Sequence, residues 1–114
     1  MAYQVQAGTT RIYTATIQDE AGAAIPGASL TSLTLTLRER TTQQIINSRD
    51  EQDVLNANGV TVGSDGLLTW TLSVLDNVHL GLGVVRVETH DARFVWGYGA
   101  GQVGRHDIAF EVTA

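Results

Sequence analysis

Glu88-Thr89-His90-Asp91-Ala92-Arg93-Phe94-Val95-Trp96-Gly97-Tyr98 is the stretch whose reading decides the fold. Glu88, His90, Ala92, Phe94, Trp96 and Tyr98 make one set, and Thr89, Asp91, Arg93, Val95 and Gly97 make the other. Successive side chains of a strand point to opposite faces, so a chemical period of two marks a strand that buries one of them. The pattern returns where His106, Ile108, Phe110 and Val112 alternate with Arg105, Asp107, Ala109 and Glu111. Joined through Gly99-Ala100-Gly101-Gln102-Val103-Gly104, the two runs predict a long antiparallel hairpin.

Other runs supply the facing sheet. In Leu30 to Arg40, the period places Leu33, Leu35 and Leu37 inward and Thr34, Thr36 and Arg38 outward. Arg11 to Gln18 directs Tyr13, Ala15 and Ile17 inward, and Leu67 to Val74 puts Leu68, Trp70, Leu72 and Val74 on one face. Residues 3–7 form a short opening strand, Val60-Thr61-Val62 a minor one, and Gln44-Ile45-Ile46-Asn47 a strand at a sheet edge. Ile25-Pro26-Gly27-Ala28 should be irregular. Ser48-Arg49-Asp50-Glu51 has the form of a capping box and predicts a brief helix that turns Val54 and Leu55 inward. Leu80 and Leu82 plug one end of the core, and Val84 to Val87 either begin the final hairpin early or form a separate piece before a bulge.

At 114 residues the chain is one domain, 1–114, able to bury roughly two-thirds of its unfolded surface. Recurrent threonine within apolar runs, 12 glycines against one proline, and the absence of lysine all favour strands over helices. The fold class is therefore all-β: an antiparallel β-sandwich of about seven strands with immunoglobulin-like connectivity, centred on Trp70 and Trp96. A small closed barrel is the alternative. Without cysteine there is no disulfide framework and no thiolate zinc site. A formal net charge of −5 and a pI near 4.9 argue against nucleic acid and anionic membrane surfaces as partners. The first residues lack a basic start and a signal-length apolar run, and no stretch approaches the ~20 apolar residues of a membrane span.

Residues suited to chemistry are few. His90-Asp91 and His106-Asp107 are adjacent pairs, and neighbours on a strand face opposite ways, so neither is a dyad. Glu88, His90 and His106 share a face and suit a metal by type, but Phe94, Trp96, Ile108 and Phe110 share it too. Polar residues capping the core through hydrogen bonds are the better reading. Asp50, Glu51 and Asp53 cluster without calcium-loop spacing. No catalytic residue, metal or cofactor is assigned, and the chain is read as not an enzyme. Partner contact is assigned to the hairpin tip, at Tyr98, Gly99 and Gly101, and to Ile46 on the edge strand, which suits homotypic pairing. Arg38, Arg40, Arg93 and Arg105 face outward, where they suit carboxylates of neighbouring copies.

From residue 8 to 113 the chain resembles the small immunoglobulin-like domains of tailed-bacteriophage particles, such as the N-terminal domains of baseplate upper proteins and short head- or tail-associated proteins. The resemblance is carried by Ala7-Gly8-Thr9-Thr10, Gln18-Asp19-Glu20-Ala21-Gly22, Ile25-Pro26-Gly27-Ala28, Glu88 to Trp96, and His106-Asp107-Ile108-Ala109-Phe110-Glu111-Val112. It implies a virion protein made in the host cytoplasm, with phage capsid or tail proteins as partners and self-association as a further mode. The sequence ends at Ala114, directly after its last strand, which suits a capsid decoration or head/tail adaptor. The alternative is a carbohydrate- or receptor-binding module. With five of the seven aromatic residues facing inward, only Tyr3 and Tyr98 are left for a sugar platform.

Overall fold

The computed structural model describes residues 3–81 and 87–113. It is an all-β sandwich of two sheets. In chain order the strands are β1 (Tyr3–Gln6), β2 (Arg11–Thr16), β3 (Leu30–Glu39), β4 (Gln52–Asp53), β5 (Val60–Val62), β6 (Leu67–Leu72), β7 (Val87–Tyr98) and β8 (Gln102–Thr113). One sheet has five strands in the order β1-β8-β7-β3-β4, and the other has three in the order β2-β6-β5.

Leu33, Leu35, Leu37, Ala92, Phe94, Phe110 and Val112 are buried, while Thr34, Thr36 and Arg93 lie on the opposite face. Trp70 of β6 is the staple between sheets. It is fully buried and meets Phe94 and Phe110 of the five-stranded sheet edge-on, with ring centroids 5.5 and 6.2 Å apart. Such contacts add about 0.5–1.5 kcal/mol each to the area that the rings bury. Trp96 lies across β8, its indole over Gly104, which directly opposes it.

Several expectations require correction. The sandwich is not wholly antiparallel, because β1 pairs with β8 in parallel, Tyr3 opposite Phe110 through Gln6 opposite Thr113. From β1 the chain crosses to the other sheet, turning at Gly8 with φ +72°, where the Gly8 N–H donates to the Asn77 carbonyl. The hairpin connection is three residues, Gly99-Ala100-Gly101, since pairing continues to Tyr98 opposite Gln102. Val74 is 49% exposed, because β6 ends at Leu72.

Ser48-Arg49-Asp50-Glu51 forms no helix. Asn47, Ser48 and Glu51 adopt left-handed φ values of 55°, 56° and 49°, which no right-handed helix accommodates. Instead, residues 44–54 follow the edge of β3. Ile46 N–H donates to the Leu37 carbonyl, Leu37 N–H to the Arg49 carbonyl and Val54 N–H to the Leu33 carbonyl. Ile45 makes only an isolated bridge to Arg38, and Ile46 is buried in the core at 1% exposure. Leu80 packs against the core as expected. The expectations for Leu82 and for Val84–Arg86 lie outside the described residues.

Candidate protein-contact face

The outward set of β3, β7 and β8 forms a trough of about 890 Å³ on the solvent side of the five-stranded sheet. Its rows follow from register. Thr36, Arg93 and Asp107 stand side by side across the three strands, as do Arg38, Asp91 and Ala109, and Thr34, Val95 and Arg105. Arg38, Arg40, Arg93 and Arg105 all line it. Four of the seven basic residues of an acidic chain thus stand on one face.

Their partners are local. Arg40 grips Asp91 with two bonds, Nη2 to Oδ1 at 2.7 Å and Nε to Oδ2 at 3.1 Å, and the hydrogen-bonded carboxylate raises the arginine pKa above its usual value. Asp107 lies between two guanidinium groups, Arg93 Nε at 3.0 Å and Arg105 Nε at 3.3 Å. Arg38 reaches Asp50 only at 3.9 Å. These arginine side chains are 43–58% exposed, and exposed ion pairs contribute only about 0–1 kcal/mol to a fold. The fold therefore gains little from concentrating them. Among the described residues no aromatic side chain lines the trough.

A second polar group is buried at one end of the same sheet. The Glu88 carboxylate, on the inward face, accepts the N–H groups of Leu80 and Gly81, both at 2.8 Å, and lies 3.2 Å from His90 Nε2 and 3.4 Å from His79 Nδ1. Glu39 stands opposite His90 across the β3–β7 ladder. Burial opposes ionisation of Glu39, but bonds from the Thr41 and Thr42 backbone and the Thr42 hydroxyl outweigh it and hold its pKa below the ordinary value. These residues fasten the 79–81 segment and the β3 end onto the core.

His106 belongs elsewhere. His90 opposes Phe110 whereas His106 opposes Phe94, four residues further along β8, or roughly 13 Å. His106 Nε2 is 2.6 Å from the Tyr13 hydroxyl, with the rings stacked. Glu88, His90 and His106 therefore do not converge on one point. Of Asp50, Glu51 and Asp53, Glu51 lines the trough and Asp50 stands 3.9 Å from Arg38, whereas Asp53 Oδ1 accepts the Leu55 N–H.

Of the residues assigned to partner contact, Gly99 and Gly101 form the exposed hairpin tip, with φ of +57° and +92°. Tyr98 is half-buried and donates its hydroxyl to Glu20 Oε2 at 3.0 Å, tying the tip to the β2–β3 connection. Ile46 is a core residue, and its N–H is already engaged by Leu37. It cannot serve an open edge. Residue order does not link Asp91, Asp107 and Glu51, the acidic members of the trough, to the four arginines. The signal in the sequence is the outward set of each strand, whose members become neighbours only through strand register.

No family model, curated protein or solved structure matches this chain.

Proposed function

We propose that this chain is a structural protein of a tailed-bacteriophage particle, a capsid decoration or head/tail adaptor, working through protein contacts on the outer face of β3, β7 and β8. The observation that carries this reading is the gathering of four exposed arginines and their carboxylates in one trough, where they add little to stability. Such a face suits a polar partner surface. A glycan platform would present aromatic rings, and none of the described residues lining the trough supplies one.

The strand order supports an immunoglobulin-like reading of the sandwich. β2, β6 and β5 take the places of strands B, E and D, while β3, β7 and β8 take those of C, F and G. The resemblance of Glu88 to Trp96 and of His106 to Val112 to phage particle domains points the same way. A modest contact repeated over a lattice of copies gains by avidity, so single-site affinity need not be high.

Quantitative mass spectrometry of purified particles from the source, referenced to the major shell protein, tests the proposal. Hundreds of copies assign a capsid decoration, and about a dozen assign a neck, tail or baseplate position. Absence from the particle overturns the reading.

A further inference from the structure

We propose that the outer edge of β8, from Val103 to Ala109, binds an extended peptide segment of a partner protein, which joins the five-stranded sheet as one more strand. This site is the rim of the sheet rather than its outer face, and the inference does not rest on the virion reading.

The direction of the backbone follows from two hydrogen bonds. The Ala7 N–H donates to the Thr113 carbonyl, so Thr113 turns its polar groups toward β1 and away from β7. The Arg40 N–H donates to the Thr89 carbonyl, so odd-numbered residues of β7 bond to β3 and even-numbered ones to β8. Register between β7 and β8 runs without a shift from Val87 opposite Thr113 to Tyr98 opposite Gln102. Alternation therefore points the N–H and C=O groups of Val103, Arg105, Asp107 and Ala109 outward from the sheet. β1 covers this edge only from Phe110 onward, and among the described residues nothing else pairs with it. The open length is about 20 Å. Edges of this kind are ordinarily blunted by lysine, proline or a bulge, and residues 103–109 contain none of these.

What borders the edge defines its occupant. Toward the trough, Arg93 and Arg105 share the single carboxylate of Asp107, and Val103 is 69% exposed. Toward the facing sheet lie Ile108, half-buried against the core, and His106, held by the Tyr13 hydroxyl at 2.6 Å. A matching segment alternates, with an acidic side chain beside Arg105 on one face and apolar side chains over Ile108 on the other. A second copy is the poorer fit. Pairing the whole edge antiparallel, Val103 opposite Ala109, carries Gln102 and the hairpin tip of each copy against Phe110 of the other, where Tyr3 already sits. A single extended segment brings no hairpin and leaves the edge before Tyr3.

A library of displayed peptides about ten residues long, selected against the purified chain, is the probe. Selected peptides are expected to carry the alternating pattern, and synthetic copies should protect the amides of Val103, Arg105, Asp107 and Ala109 from hydrogen exchange. Asp107→Pro removes an outward donor and should weaken binding roughly tenfold or more, while Asp107→Asn, which keeps the backbone and drops the charge, should not weaken it. Val103→Pro repeats the comparison near the hairpin tip. Both proline variants should stay folded, because neither N–H bonds within the chain, whereas Ile108→Pro removes a bond to β7 and should unfold it. Failure to select any binder, binding indifferent to both outward prolines, or amide protection elsewhere on the chain overturns the proposal. So does self-association of the free chain that the same prolines abolish, since it seats a second copy on the edge. Particle copy number tests the virion reading separately, because an edge can bind a peptide in a protein absent from particles.

Discussion

Arg49 and Asp76 form a buried ion pair that ties the β3–β4 connection to the turn after β6. Arg49 Nε donates to Asp76 Oδ1 at 2.5 Å and Nη2 to Oδ2 at 3.1 Å, with side-chain exposures of 5% and 0%. Asn47 Nδ2 and the Ser73 N–H complete the carboxylate's shell at 2.9 Å each, and the guanidinium lies over the Trp70 ring at 5.9 Å.

Breaking this pair from one side should be costly, because it strands a charge away from water. Arg49→Met is expected to lose about 3–5 kcal/mol in urea unfolding followed by tryptophan fluorescence. The Arg49→Met/Asp76→Leu double variant should lose less than the two single changes together. A single-variant loss below about 1 kcal/mol would mean that water reaches the site. Burial pushes the Asp76 carboxyl up, but bonds from Arg49, Asn47 and Ser73 outweigh it and hold its pKa below the usual value. Its contribution is therefore present above an unfolded pKa of about 3.9 and is lost as pH falls through the folded value.

His90 sets an earlier limb of the acid profile. Burial lowers its pKa against the pull of Glu88 and Glu39, with His79 adding to the lowering. Below about pH 6.5 the unfolded chain takes up a proton that the folded chain refuses, so stability falls as pH drops from there towards the folded pKa. His90→Gln keeps a hydrogen-bonding side chain that does not titrate. Urea midpoints from about pH 7.5 to 5 should decline less in that variant, and parallel slopes would remove His90 as the cause.

Gly104 is required by its neighbour rather than by its torsions. A methyl group there falls directly on the Trp96 indole. Gly104→Ala should cost about 1–3 kcal/mol and alter the near-ultraviolet circular dichroism of Trp96. An unaltered aromatic spectrum with native stability would show that the indole has room to move.

Ile46→Glu separates a core position from an edge position. With the side chain 1% exposed, a carboxylate there has no water and no placed partner, and the loss should reach about 4 kcal/mol or more by chemical denaturation. A change within about 0.5 kcal/mol would return Ile46 to the surface.

Much of the architecture was legible in the chain. Leu33, Leu35, Leu37, Phe94 and Phe110 were assigned to the core from alternation alone, and all are buried. The two tryptophans were placed at the centre for the same reason. The reading failed at Ser48-Arg49-Asp50-Glu51, where a capping-box pattern met left-handed torsions and a long-range claim on Arg49 by Asp76. A local propensity of this kind is worth about 1 kcal/mol, less than the cost of leaving a buried carboxylate unpaired.

Alternation is a property of one strand, because the pleat turns successive side chains to opposite sides whatever lies beside it. The inward and outward sets, the β class and the absence of a disulfide framework could therefore be read from residue order. Which strands become neighbours is a different quantity, set by how separate apolar faces pack together. The parallel pairing of β1 with β8, the meeting of Arg49 with Asp76 and the separation of His106 from Glu88 and His90 all arise at that level. So does the contact face: four arginines scattered from position 38 to 105 become one surface only when β3, β7 and β8 lie in register.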